Sequence, residues 1–176
     1  RALGADHPDT LATRFAIAQQ MAARGDHAAA ENGFRGVFAA RERALGADHP
    51  DTLATRFAIA QEMAARGDHA AAEDEFREVF AARQRTLGAD HLDTLAIRFA
   101  IAQQMAARGD HTGAEKEFRH VLAEQTRALG RNHPDTLIAR FAIAQEMAAR
   151  GDHAGAEKEF QDVLPHMKRM LGADHP

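Results

Sequence analysis

The sequence predicts an all-α protein, an α-solenoid of antiparallel helix pairs. A Leu-Gly pair recurs every 42 residues, at positions 3–4, 45–46, 87–88, 129–130 and 171–172. A fixed period of this length is typical of repeat proteins, in which each unit packs against its neighbours. Each unit contains two segments with helical apolar spacing, and strand-like alternation is absent from the sequence. We therefore expect one array over 1–176, with units 1–42, 43–84, 85–126 and 127–168 and the start of a fifth, 169–176.

The loop from Gly4 to Thr10 predicts where the first helix of a unit begins. Gly4 suits the left-handed backbone that ends a preceding helix. Pro8 suits the first helical turn, where its missing N–H costs nothing. Asp9 then faces the positive end of the helix dipole. We expect this helix to begin between Asp6 and Pro8.

The first helix is predicted over residues 10–24, and its side chains fall on two neighbouring arcs at about 100° per residue. The arc expected to face the core contains Arg14, Ile17, Ala18 and Met21, with Leu11 at its border. The adjacent arc contains Ala12, Phe15, Gln19, Ala22 and Ala23.

The second helix is predicted from His27 to Ala44, because Gly25 ends the first helix and Asp26 is a favourable N-cap. Only about two residues separate the two helices, so they must fold back on each other as antiparallel neighbours. The apolar stripe of the second helix contains Ala30, Phe34, Val37, Phe38 and Leu45.

These residues resemble the tetratricopeptide repeat, in the 42-residue variety of kinesin light chains and many bacterial regulators. An alanine followed four residues later by phenylalanine marks every second helix, at Ala30/Phe34, Ala72/Phe76, Ala114/Phe118 and Ala156/Phe160. The LGADHPDT loop also matches the long variety. The resemblance implies a right-handed superhelix whose concave face, lined by first helices, binds a protein or peptide partner. It also implies a bacterial, cytoplasmic scaffold.

The resemblance places the candidate partner-binding residues on the first helices. They are Phe15, Gln19, Phe57, Gln61, Phe99, Gln103, Phe141 and Gln145. Asparagines often stand at the phenylalanine position in the long variety, so an asparagine grip on a peptide backbone is not expected here. A ladder of phenylalanine rings could form an apolar groove. Alternatively, each ring packs against alanines of its own and the neighbouring first helix.

Arg14 and its equivalents Arg56, Arg98 and Arg140 lie on the arc expected to face the core. A buried charge needs a partner. One hypothesis pairs each arginine with the acid at Glu31, Glu73, Glu115 or Glu157 of the same unit. The alternative is that the arginine stem packs while the guanidinium reaches solvent.

Composition excludes several function classes. The net charge of −4 comes without a basic stripe, so we expect no nucleic-acid partner. No apolar run approaches the ~18 residues of a membrane span, and no leader is evident. Cysteine and tyrosine are absent, and no phosphate loop or nucleophile motif occurs. We expect no enzyme, catalytic residue, cofactor or metal site, and we interpret His7 as part of a helix-start loop.

The units differ at a few informative positions. Gly33 and Gly36 are each expected to destabilise the second helix of the first unit by roughly 1 kcal/mol relative to alanine. Pro165 predicts a kink or break near residues 161–165. The missing polar caps indicate a fragment of a longer array. Unit-like faces at the ends also allow a second function, a structural module that stacks head to tail on other copies.

Overall fold

The computed structural model describes residue 4 and residues 6–171, and this part of the chain contains helices and no strand. The predicted all-α class is confirmed. The helices of the described residues are α1 (Pro8–Ala23), α2 (His27–Leu45), α3 (Pro50–Ala65), α4 (His69–Leu87), α5 (Leu92–Ala107), α6 (His111–Leu129), α7 (Pro134–Ala149) and α8 (His153–Leu171).

Contacts divide the chain into two larger groups of residues, Arg1–Thr86 and Leu87–Pro176. In the first, the N-terminal group, α1 packs on α2 and α2 on α3, while Phe57 of α3 contacts Phe76 of α4. In the second, the C-terminal group, α5 packs on α6, α6 on α7 and α7 on α8. Packing in chain order is the arrangement of an α-solenoid. The 42-residue unit boundaries remain a prediction, and residues 172–176 of the fifth lie outside the described residues.

The helix ends form for the reasons read from the sequence. His7 is the N-cap of α1, and its Nδ1 accepts a hydrogen bond of 3.2 Å from the Asp9 N–H. Gly25 follows α1 with φ 82°, and the Asp26 N–H donates to the Met21 carbonyl at 3.0 Å. This left-handed closure ends the helix by satisfying its last carbonyls. Asp26 then caps α2 by accepting from the Ala29 N–H. The interpretation of His7 as a helix-start residue is confirmed.

Part of the buried core recurs in both groups at equivalent positions, where Leu11 and Val37 correspond to Leu95 and Val121. Leu11 packs with Val37 and Ala40 in the N-terminal group, and Leu95 packs with Val121 and Ala139 in the C-terminal group. The phenylalanine of the alanine–phenylalanine motif is also buried, with Phe34 and Phe118 each 2% exposed. Repeated side chains therefore build a series of small clusters between neighbouring helices.

Two expectations about local packing are wrong, and one about helix continuity is wrong in part. Ile17 was predicted to face the core but is 51% exposed, because within the described residues no helix precedes α1 to cover it. Leu45, at the last position of α2, is likewise 44% exposed. Of the predicted kink or break near residues 161–165, the break does not occur, since α8 is continuous from His153 to Leu171, and the kink stays a prediction. Pro165 is exposed, and its ring removes one backbone N–H donor from the helix.

None of the described helices combines the length and apolar character needed to cross a membrane. Within the described residues, no group of three or more histidines and carboxylates is close enough to hold a metal ion.

Candidate functional site

Each phenylalanine of the predicted ladder packs against the phenylalanine of the second helix in its own unit, which is buried in the first three units and half-buried in the fourth. The ring centroids are 5.0, 5.2, 4.8 and 5.1 Å apart in the four pairs, and the planes are tilted by 53–55°. Tilted contacts at this distance stabilise aromatic pairs beyond the area they bury. The pairs are Phe15–Phe34, Phe57–Phe76, Phe99–Phe118 and Phe141–Phe160.

The ladder rings are neither fully packed nor fully free. Phe15, Phe57 and Phe99 are half-buried, and Phe141 is 38% exposed. Phe99 also packs against a cluster that includes Ala102 of its own helix and Ala142 of α7. The predicted contact with alanines therefore exists for Phe99, but the second-helix phenylalanine was not anticipated as a partner.

A groove runs between the two first helices of the C-terminal group, α5 and α7. It consists of two adjoining hollows of about 280 Å³ each, which share Phe99 and Ile138 as lining residues. We call this the α5–α7 groove. Its other lining residues include Leu92, Ala96, Gln103, Ala106, Phe118, Gln125, Asp135, Phe141, Ala142, Gln145 and Glu146.

Four of the eight predicted site residues line this groove, namely Phe99, Gln103, Phe141 and Gln145. The other four, Phe15, Gln19, Phe57 and Gln61, hold the equivalent positions on α1 and α3 of the N-terminal group. All four glutamines of the set are exposed. Each first helix thus contributes one phenylalanine and, four residues later, one exposed glutamine.

Two exposed apolar residues of the groove were not among the predicted site residues. Ile138 is 44% exposed and stands where the other units have Ala12, Ala54 and Ala96. Leu92 is 40% exposed and replaces the loop proline. The sequence did carry a signal for both, because each is a departure from the repeat toward a larger or more flexible apolar side chain.

Gln125 of α6 reaches the groove from below and is only 7% exposed. Its Oε1 atom is buried and has no hydrogen-bond partner among the described residues. The N-terminal group has arginine at both equivalent positions, Arg41 and Arg83, and the Arg41 guanidinium lies 5.1 Å above the Phe15 ring centroid. Glutamine is shorter than arginine and carries no charge. At Gln125 the groove beside Phe99 therefore stays open, and the buried Oε1 atom of Gln125 lies at its edge.

The recurring arginine of the first helix makes an ion pair within its unit, but the predicted acid is wrong. Arg56 contacts Glu75 at 2.5 Å, Arg98 contacts Glu117 at 2.6 Å, and Arg140 contacts Glu159 at 2.5 Å. The acid that pairs lies two positions after the predicted one. Two residues turn a helix by about 200°, so the predicted acid points to the opposite side.

Two of the acids predicted for that pair, Glu31 and Glu115, join neighbouring units instead. Glu31 accepts from Arg35 of its own helix at 2.9 Å and from Arg66, the C-cap residue of α3, at 2.7 Å. Glu115 contacts Arg150 of α7 in the same manner. Burial alone would raise the pKa of Glu31, but hydrogen bonds and charge from the two arginines outweigh it and lower this pKa.

A second polar contact joins the same pairs of helices. The His27 Nδ1 lies 2.8 Å from Glu62 of α3, and the His111 Nδ1 lies 2.8 Å from Glu146 of α7. Both histidines are the first residues of their helices, α2 and α6. Their recurrence makes the glutamate–arginine and histidine–glutamate contacts a repeated polar seam between a second helix and the first helix that follows.

The sequence comparison and the structural comparison with known proteins indicate the same family. The sequence profile of the tetratricopeptide repeat matches residues 17–84 and 100–169. Two structures of a kinesin light chain-like protein from Podosopora anserina, with nearly identical TPR-like repeats, have TM-scores of 0.81 and 0.79 at 25% identity. They are matched over 97% and 96% of this chain and 80% of theirs.

BtubC (BKLC) from P. vanneervenii is similar in fold, with a TM-score of 0.80 at 15% identity. The match covers 95% of this chain and 66% of that protein. No curated protein matches the sequence.

Proposed function

Because the chain belongs to the tetratricopeptide repeat family, we propose that it is a protein-interaction scaffold that binds a protein or peptide segment in the α5–α7 groove. Repeat scaffolds of this family typically have no catalytic activity. The observation that carries the proposal is an open apolar groove in which Ile138 and Phe141 are exposed. Beside it lies the buried Oε1 of Gln125, which has no hydrogen-bond partner in the described part of the chain.

The chemistry of the groove describes its occupant. Ile138, Phe141 and Leu92 offer apolar surface, which an apolar side chain of the partner would cover. Gln103 and Gln145 each provide an amide that can donate and accept hydrogen bonds with a peptide backbone. Gln125 adds an acceptor beside the groove, because its Oε1 has no hydrogen-bond partner among the described residues. We therefore expect the partner to be a segment with apolar side chains and an available N–H.

The proposal can be tested by selecting peptides from a displayed random library on the whole chain and measuring their dissociation constants. We expect Ile138→Ala to weaken binding roughly tenfold through lost apolar contact, while restoring the residue that other units carry. Leu45→Ala is the matched control, since Leu45 is also 44% exposed but lies outside the groove. Selected peptides that bind the Ile138→Ala chain as tightly as the parent would contradict the proposal.

Gln125→Met separates binding from folding in the same experiment. Methionine has a similar length and removes the buried oxygen, so the free energy of unfolding should stay the same or rise. Peptide binding should nevertheless weaken, because the N–H of the peptide loses its acceptor. A loss of stability with unchanged binding would mean that Gln125 serves the fold alone.

A second candidate function is self-assembly, in which the ends of the array bind other copies. The observation that favours it is an open apolar face on α8, lined by Phe160 and Leu164 among others.

A further inference from the structure

The last helix of the described chain has an uncovered apolar face. A hollow of about 530 Å³ lies against α8 and the adjoining side of α7. Its lining includes Ala156, Phe160, Val163, Leu164, Phe141 and Ala148. Leu164 is 49% exposed, which is unusual for a residue on the apolar stripe of a second helix.

The equivalent face of α6 is covered by α7. Ala114, Phe118 and Leu122 correspond to Ala156, Phe160 and Leu164 in the repeat. They form one cluster with Ile143 and Met147 of α7. The face of a second helix is therefore shaped to receive a first helix that carries isoleucine and methionine four residues apart.

The first helix of the chain has the complementary face uncovered. Ile17 is 51% exposed, whereas its equivalents Ile59 and Ile143 are 3% and 5% exposed. Thr13 is exposed, whereas its equivalents Thr55 and Ala139 are fully buried. Within residues 6–171 no helix lies before α1 to cover these side chains. The described part of the chain therefore has two complementary exposed faces, one on α1 and one on α8.

The charges of the two faces also match. Where a second helix meets the next first helix, Glu31 contacts Arg66 and Glu115 contacts Arg150. The residues at these positions on the uncovered faces are Glu157 of α8 and Arg24 of α1, both exposed. Between two copies, these opposite charges would stand where the repeat forms an ion pair.

We propose that copies of this chain associate head to tail, with α1 of one copy packed on α8 of the next. Ile17 takes the place that Ile143 has within the chain, against Phe160 and Leu164 of the neighbouring copy. Arg24 pairs with Glu157 of that copy. Because the two faces differ, each added copy leaves both faces available, so growth is open-ended and depends on concentration.

Sedimentation velocity of the 176-residue chain over a wide range of concentration tests the association. We expect the mass to rise with concentration, and Ile17→Asp or Leu164→Asp to abolish the rise. Both side chains are about half exposed, so unchanged thermal melting should show that each variant still folds. A parent chain that stays monomeric throughout would overturn the proposal and assign the α8 face to another occupant, such as a further unit of a longer chain.

Charge reversal tests the register. Arg24→Glu and Glu157→Arg should each weaken association roughly tenfold, because like charges then meet at the junction. Mixing the two variants should restore it, since junctions that join a glutamate to an arginine can form again. Arg131→Glu and Glu42→Arg are the matched controls, at exposed positions away from both faces. Failure of the mixture to recover would overturn this register.

This association is distinguishable from peptide binding in the groove. Ile17 and Leu164 do not line the α5–α7 groove, so their variants should still bind the selected peptides. Ile138→Ala should in turn leave the concentration dependence of the mass unchanged. One proposal can therefore fail while the other holds.

Discussion

At the scale of residues, Glu31 shows how one carboxylate connects two units. Its side chain is only 10% exposed, and two arginines from different helices donate to its oxygens. Such charge-assisted hydrogen bonds are the stronger kind, and removing their partners would leave a buried charge unpaired. The same arrangement at Glu115 indicates that this polar tie recurs once in each of the two helix groups.

Acid should weaken this tie in a predictable direction. The pKa of Glu31 in the folded state lies below its ordinary value of 4.5. The carboxylate therefore stabilises the fold fully above about pH 4.5, and this contribution is lost as pH falls through the lower folded-state pKa. We expect the difference in unfolding free energy between the parent chain and Glu31→Gln to shrink on acidification, as measured by urea denaturation.

Arg66→Gln provides the control for that measurement, because it removes one of the two cations that lower the Glu31 pKa. When Glu31→Gln is added to the Arg66→Gln chain, the further change in unfolding free energy should be smaller and should depend less on pH. An equal pH dependence with and without Arg66 would contradict the assigned cause.

At the scale of elements, α2 differs from α4 through two glycines inside the helix. Where α4 has Glu75 and Glu78, α2 has Gly33 and Gly36. Glu75 pairs with Arg56, and Glu78 lies 3.7 Å from the same arginine. Arg14, the equivalent arginine on α1, faces a helix without these carboxylates. The first helix pair therefore lacks both helix propensity and an ion pair that the second has.

Gly36→Ala should stabilise the chain by about 1 kcal/mol, the usual gain for alanine over glycine in a helix interior. An added Cβ would meet only the flexible end of Arg14, with Nη2 at 2.9 Å. Gly33→Ala should gain less, because its Cβ would approach the Cβ of Ala18 at 3.0 Å. Thermal or urea denaturation measures both, and an equal gain for the two changes would contradict the steric argument.

At the scale of the whole molecule, stability arises from neighbouring helices rather than from one central core. The clusters around Val37 and Val121 hold equivalent positions in separate parts of the chain. A repeat protein of this kind opens most easily where a unit lacks a neighbour on one side. The exposed Ile17 on α1 and Leu164 on α8 mark such places.

Amide hydrogen exchange at low protein concentration should therefore be uneven. Within the N-terminal group we expect faster exchange in α1 than in α3, and within the C-terminal group faster exchange in α8 than in α6. The reason is that fewer apolar contacts must be lost to open the uncovered helices. Uniform protection across all helices would instead indicate that each group opens as a whole. Higher concentration, which favours head-to-tail contacts, should slow exchange in α1 and α8 selectively.

The sequence by itself determined the local structure, because helix caps and apolar periodicity act within a few residues. Asp26 caps α2 as predicted, and Ala30 and Phe34 are buried as their motif requires. Half of the predicted site residues line the α5–α7 groove for the same reason, since their helical face follows from their spacing.

Only the tertiary structure decided which equivalent residues differ in their surroundings. Ile17 and Ile143 share the same local sequence, yet one is exposed and the other buried, because burial depends on the helix packed opposite. Arg56 pairs with Glu75 because the second helix turns this acid toward α3, whereas the predicted acid at Glu73 points away. Ile138 and Gln125 became a candidate site only when α5, α6 and α7 came together, since no local pattern reports the space between helices.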